Sequence, residues 1–95
     1  MSRLVLVTYD ISNPRRLRRV FKAMKGFGQH VQLSVFLCEL TDIERLDMIA
    51  LLRSTILQVE DQILLIDLGP THGRSAHIQA LGRPLSRQTR GPHIA

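Results

Sequence analysis

The hydrophobic pattern changes period within the first 25 residues, and that change limits the folds open to the chain. Leu4, Val5, Leu6 and Val7 are continuously apolar inside the stretch Arg3 to Tyr9. Such a run suits a central strand covered on both faces. Asn13-Pro14 follows, and from there Leu17, Val20, Phe21 and Met24 recur at helical spacing. Asn is a preferred N-cap and Pro fits the first helical position, so a helix is predicted to start here. Its apolar stripe packs inward, and Gly26 and Gly28 end it.

The same alternation continues. Val31 to Leu40 is β-rich, with Val31, Leu33, Val35 and Leu37 alternating against Gln32, Ser34, Phe36 and Cys38, which implies two differently used faces. Thr41-Asp42-Ile43-Glu44 has the form of a capping box. The helix it opens is expected to reach about Leu57, with Ile43, Leu46, Ala50 and Leu57 on one face, widened by Ile49 and Ile56. Asp61 to Leu68 reads as another strand, broken by Gly69-Pro70. Ser75 to Leu81 is a candidate for an extra C-terminal edge strand. The order implies an α+β sandwich with two helices on one face of a sheet. A ferredoxin-like βαββαβ arrangement fits if Val31 to Leu40 holds two short strands or one strongly bent strand.

Ninety-five residues make a single domain with a modest core, for which added burial by oligomerisation is useful. The domain is expected over residues 1–82, with 83–95 as a flexible basic tail. Cys38 is the only cysteine, so an intrachain disulfide is excluded, and its apolar surroundings point to a packed, reduced thiol in a cytoplasmic protein. No apolar run approaches the ~20 residues needed to cross a bilayer, and the short run at Leu4 to Val7 does not form a signal peptide. No membrane association is expected.

Charge supplies the first functional clue. The chain carries 13 Lys and Arg against 8 Asp and Glu, for a formal net charge of +5. Between Arg15 and Lys25 lie six basic residues and no acid, and after Asp67 come Arg74, Arg83, Arg87 and Arg90 unopposed. Two basic zones fit either a polyanionic partner or a solvated helix face with a charged tail. Arg15 and Arg16 stand near the positive end of the helix dipole, where cations are disfavoured. They are either a tolerated, solvated arginine pair or are accounted for by a phosphate, or the Asp10 carboxylate, at that helix end.

Asp10 itself stands where a strand ends and the basic helix begins. A carboxylate there either caps the strand end or binds a hard cation, and Mg²⁺ takes one or two carboxylates with waters and phosphate oxygens. A two-fold axis near Asp10 would bring a second carboxylate. Phe36, on the less aliphatic face of its stretch, is read as core or interface packing in preference to a nucleobase contact. His30 is open to a phosphate contact or proton donation, beside the commoner role of a strand-end histidine. None of His30, His72, His77 and His93 has zinc-site spacing, and the chain has no nucleophile elbow, phosphate-binding glycine loop or CxxC pair.

Tyr9-Asp10-Ile11-Ser12, then Arg15-Arg16 with Val20, then Gly28, then Val31-Gln32-Leu33-Ser34-Val35-Phe36 together resemble the signature of the CRISPR-associated protein 2 family across roughly residues 3 to 68. The resemblance implies a ferredoxin-like homodimer in which two copies of Asp10 face each other. It implies a Mg²⁺- or Mn²⁺-dependent endonuclease acting on RNA or duplex DNA, with Asp10 as catalytic and metal-binding residue. It places Tyr9, Arg15, Arg16, Arg19 and Ser34 in nucleic-acid contact and Phe36 at a dimer or substrate contact. It further implies a dimer that holds spacer DNA and bridges the integrase partner in CRISPR adaptation. Some nucleases of the family carry arginine where this chain has His30. Two other readings stand beside the nuclease: a non-catalytic DNA-binding adaptor, and a related toxin ribonuclease of the same fold.

Overall fold

The computed structural model describes residues 1–85. Its elements run β1 (Ser2–Asp10), α1 (Pro14–Met24), β2 (Gly28–Gln32), β3 (Val35–Thr41), α2 (Asp42–Thr55) and β4 (Gln62–Pro70). The four strands form one sheet in the order β2-β3-β1-β4, and every neighbouring pair is antiparallel. This is the βαββαβ ferredoxin-like arrangement. The Val31 to Leu40 region divides into two strands, and the division falls at Leu33-Ser34, which form a turn.

Register assigns the faces. Val5 and Val7 of β1 pair with Cys38 and Phe36 of β3, and Val7 and Tyr9 pair with Leu65 and Ile63 of β4. Val5, Val7, Tyr9, Phe36, Cys38 and Leu40 form a buried cluster with Val20 and Met24 of α1 and Met48 and Leu52 of α2. Leu17 and Phe21 pack at its margin, so the stripe expected on α1 is the one that turns inward. The two faces expected of this stretch are used differently: Phe36, Cys38 and Leu40 face the helices, while Val35 and Leu37 lie on the opposite, open face. The aromatic ring and the thiol fill space that the aliphatic set does not reach.

Helix caps follow the sequence. Asn13 Oδ1 accepts from the Arg15 and Arg16 backbone N–H groups, both at 3.0 Å. Thr41 Oγ1 accepts from Glu44 N–H at 3.2 Å while Glu44 Oε1 accepts from Thr41 N–H at 2.9 Å, closing the capping box. The inward face of α2 differs from the expected one. Met48 and Leu52 are buried, whereas Ile43 and Leu46 are 72% and 65% exposed. Apolar side chains surround most of this helix, so periodicity does not single out a face, and the sheet beneath it decides.

Three further expectations are corrected. Gly28 does not end α1 but opens β2, where it is buried against β3: a Cβ there would collide with Cys38 Sγ and stand 2.7 Å from Leu37 O. Gly69-Pro70 does not break β4, which continues to Pro70. The register shifts between Leu4 and Val5, which pair with Gly69 and Asp67, so Leu68 is the extra residue of a bulge and Gly69 takes the positive φ of 100° that follows it. Residues 75–81 form no strand. The chain turns away at Thr71 to Arg74, where His72 and Gly73 both have positive φ and Arg74 N–H donates to Thr71 O at 2.6 Å. Of the segment read as a tail, residues 86–95 lie outside the described part.

Candidate nucleic-acid interface and carboxylate site

One end of the sheet gathers most of the residues singled out above. The C-terminal end of β1, the β2–β3 turn, the N-terminus of α1 and the loop from α2 to β4 all meet there, as the antiparallel order requires. Asp10 is the last residue of β1, exposed, and paired in register with Gln62. Among the described residues its carboxylate takes part in no hydrogen bond or ion pair, so both oxygens are free. No group of three or more His, Cys, Asp or Glu gathers anywhere among the described residues. At this end of the sheet the described residues therefore offer a hard cation the Asp10 carboxylate as a free donor. That donor fits Mg²⁺ or Mn²⁺, which take one or two carboxylates and complete their shell with water and phosphate oxygens.

Arg16 has a different role from the one expected. Its Nε donates to Asp61 Oδ2 at 2.7 Å, and its Nη2 reaches Asp61 Oδ1 at 3.2 Å and Glu60 Oε1 at 2.9 Å. The Asp61 side chain is fully enclosed and also accepts from Leu57 N–H at 2.8 Å. Within the described residues the Arg16 cation at the helix N-terminus is thus answered by Asp61 and Glu60 and not by Asp10. The Arg16 guanidinium, followed by the Leu57 amide, holds the Asp61 carboxyl below its ordinary range. In return Asp61 ties the start of α1 to the loop that enters β4. Nothing in the sequence links residues 45 positions apart, so this pair escaped the reading of the chain.

Arg15 and Arg19 are exposed. Arg19 and Lys22 border a groove of about 360 Å³ between α1 and α2, with Ala23, Leu51, Ser54 and Thr55 on its other sides. The first turn of α1 contains no acid, so this helix presents a positive outer face.

The aromatic candidates lie inside. Phe36 is 0% exposed, with ring centroids of Tyr9, Phe21 and His30 at 6.3, 5.7 and 4.9 Å. It packs in the core and reaches neither a substrate nor a second copy from there. The Tyr9 ring is likewise buried, and burial pushes its hydroxyl pKa upward. Ser34 is half-buried in the β2–β3 turn, and its carbonyl accepts from Tyr9 N–H at 3.0 Å. His30 Nε2 lies 2.9 Å from Leu33 O. A carbonyl only accepts, so Nε2 carries the proton and the imidazole braces the turn.

Among the described residues the other face of the sheet is apolar and partly exposed, with Leu4 buried at its far end. Leu6 pairs with Leu37 and Ile66, and Thr8 pairs with Val35 and Leu64. Leu64, Ile66 and Leu68 are 48%, 43% and 41% exposed. Asp10 lies at the end of this face, two residues beyond Thr8 on the same side of β1.

Known proteins resemble the whole of this arrangement. Residues 2–74 match the family described as CRISPR associated protein Cas2. A Rhodospirillum rubrum protein named CRISPR-associated endoribonuclease Cas2 1 is 46% identical over 82% of this chain and 76% of its own length. A Geobacter sulfurreducens protein named CRISPR-associated endoribonuclease Cas2 is 42% identical over 93% of this chain and 96% of its own. The crystal structure of Streptococcus pyogenes Cas2 superposes with a TM-score of 0.70 at 38% identity, covering 83% of this chain and 99% of that one. With the ferredoxin-like sheet and the strand-end Asp10 in place, these matches show that the chain belongs to the CRISPR associated protein Cas2 family.

Proposed function

We propose that this protein is a homodimeric, metal-dependent endonuclease that hydrolyses phosphodiester bonds in RNA or duplex DNA, with Asp10 as its catalytic carboxylate. The observation that carries the reading is the exposed Asp10, without a partner among the described residues, at the end of a partly exposed apolar sheet face. Covering that face with a second copy buries Leu64, Ile66 and Leu68. An isologous contact of this kind, with its axis near Thr8, sets two Asp10 carboxylates side by side. Together they would hold Mg²⁺ or Mn²⁺, which when bound supplies an activated water and offsets charge on the phosphate. Arg15 and Arg19 bind the backbone electrostatically and fix its register without reading sequence. Relatives named endoribonuclease support the reaction class.

A second reading has its own observation. The cations of α1 extend along its outer face to Lys22, away from Asp10. That surface suits an adaptor that holds spacer DNA and bridges the integrase partner without cutting, and one protein can do both. The deciding experiment is cleavage of RNA and of duplex DNA, with and without Mg²⁺, by wild type and Asp10→Asn. Metal-dependent cleavage lost in the variant, with binding retained, supports the nuclease. Equal cleavage by both proteins removes Asp10 from the chemistry and leaves the adaptor.

A further inference from the structure

We infer that Leu33, at the tip of the β2–β3 turn, is a nucleobase-contacting residue that gives the polyanion site its preference for strands bearing bases. The inference rests on the nucleic-acid-binding reading above, but not on catalysis.

Leu33 is 85% exposed. Single exposed leucines are common on protein surfaces, so exposure alone carries nothing. Three further observations single this one out. First, the position does not ask for leucine. Two-residue connections between antiparallel strands favour Asn, Gly, Asp or Ser. Leu33 and Ser34 connect β2 to β3 without positive φ, and the hairpin takes up the difference by skipping Val31 in the register. Second, the tip is held. His30 Nε2 donates to Leu33 O at 2.9 Å, and Ser34 O accepts from Tyr9 N–H at 3.0 Å. A backbone held in this way loses little freedom when a partner arrives, so the tip presents Leu33 at a defined place.

Third, the location is the carboxylate end of the sheet. Tyr9, which bonds the turn, is the residue before Asp10. Strands lie about 4.8 Å apart, so a tip between β2 and β3 stands roughly 5–10 Å to the side of β1. With nucleotides spaced about 3.4 Å apart along a duplex strand, that is about one to three nucleotides from a phosphate at Asp10. The apolar face offered to a second copy ends at the Thr8–Val35 pair, and Leu33 stands beyond it, on the end where Arg15 is exposed. Arg15 and Arg19 can grip phosphates but cannot sense bases. An apolar tip beside them supplies contact with a base face, a sequence-tolerant interaction.

The test measures binding by fluorescence anisotropy without divalent metal, using a single strand and a strand of equal length with all bases removed. Wild type should favour the base-bearing strand by about tenfold. Leu33→Ala should bind both strands equally, with the salt dependence of wild type. Leu33→Met should restore the preference. Sedimentation of each variant at the same concentration reports assembly. Unchanged preference in Leu33→Ala overturns the inference, as does a variant that changes oligomeric state, because Leu33 then belongs to a protein contact. A wild type that binds both strands equally overturns the inference alone. A wild type that binds neither removes the nucleic-acid reading beneath it.

Discussion

Replacing Phe36 with Ala separates two accounts of one residue. As part of Val31-Gln32-Leu33-Ser34-Val35-Phe36 it resembles a contact for substrate or for a second copy, and loss of the ring would then cost binding alone. The structure places it at 0% exposure among Tyr9, Phe21 and His30, where truncation leaves a cavity between the sheet and α1. Phe→Ala in such a setting costs about 3–5 kcal/mol. A domain of this size has only about 5–14 kcal/mol to lose. At about 4–8 °C per kcal/mol for chains below 100 residues, the melting temperature should fall by about 12 °C at the least. Phe36→Leu retains most of the volume and should cost less than about 1.5 kcal/mol. The assay is thermal unfolding followed by circular dichroism at one fixed protein concentration, since an oligomer's melting depends on it, together with nucleic-acid binding at low temperature. A Phe36→Ala protein that melts within about 3 °C of wild type, yet no longer binds, would refute the burial argument and return Phe36 to the surface.

Arg15 and Arg16 are expected to part company. Arg15→Glu should leave the melting temperature near that of wild type and weaken nucleic-acid binding with a shallower salt dependence, whereas Arg16→Glu should lower the melting temperature markedly because it strands the enclosed Asp61. The Asp61 carboxyl is held low in the folded chain, so its contribution to stability is complete above the unfolded carboxylate range. It is lost as the pH falls below about 4, through the depressed folded value. Acid-unfolding curves of Asp61→Asn should lack that part of the slope, and curves that overlay wild type would contradict it. Gly28→Ala should destabilise by about 1–3 kcal/mol through overpacking of β2 against Leu37 O and Cys38, read from urea midpoints. Asp10→Asn should melt no lower than wild type, since its carboxylate has no partner among the described residues, while a Mg²⁺-dependent rise in melting temperature should appear in wild type only.

Local signals carried most of the secondary structure. Asn13-Pro14 and Thr41 with Glu44 mark helix starts that depend only on neighbouring residues, and both caps form as written. The stripe Leu17-Val20-Phe21-Met24 was legible because basic residues fill the rest of α1. The inward face of α2 was not, because Ile43, Leu46, Met48, Ile49 and Leu52 surround that helix and only the sheet chooses among them. The β2–β3 break was similarly hidden: Val31-Gln32-Leu33-Ser34-Val35 alternates without Gly, Pro or Asn at the turn, so nothing local announces it. Among the site residues, Asp10, Arg15 and Arg19 stand exposed, as a contact role requires. The core packing read for Phe36 from its own stretch agrees with its burial, and it is the contact role implied by the family resemblance that its burial does not suit. Arg16 was not legible, because its partner Asp61 is set by tertiary packing, which spacing along the chain does not encode.

The two sides of the sheet also bear on how one small chain could both hold nucleic acid and cut it. Strand alternation sends Val5, Val7 and Tyr9 toward the helices and Leu6, Thr8 and Asp10 away from them. The α1 cations and Asp10 therefore belong to opposite sides of the same layer and meet only around the strand ends. A second copy on the apolar face would draw both Asp10 carboxylates toward the dimer axis and leave both α1 helices facing outward. A polyanion lying along the groove beside Arg19 and Lys22 then need not approach Asp10, while one that bends around the strand ends past Arg15 touches both. Binding and cleavage would in that case depend on different residues. Arg19→Glu with Lys22→Glu should reduce affinity for a long duplex more than it slows cleavage of a short saturating strand. Asp10→Asn should do the reverse. If both changes reduced binding and cleavage in the same proportion, nucleic acid would be using a single surface, and the separation of the two sides of the sheet would have no functional meaning.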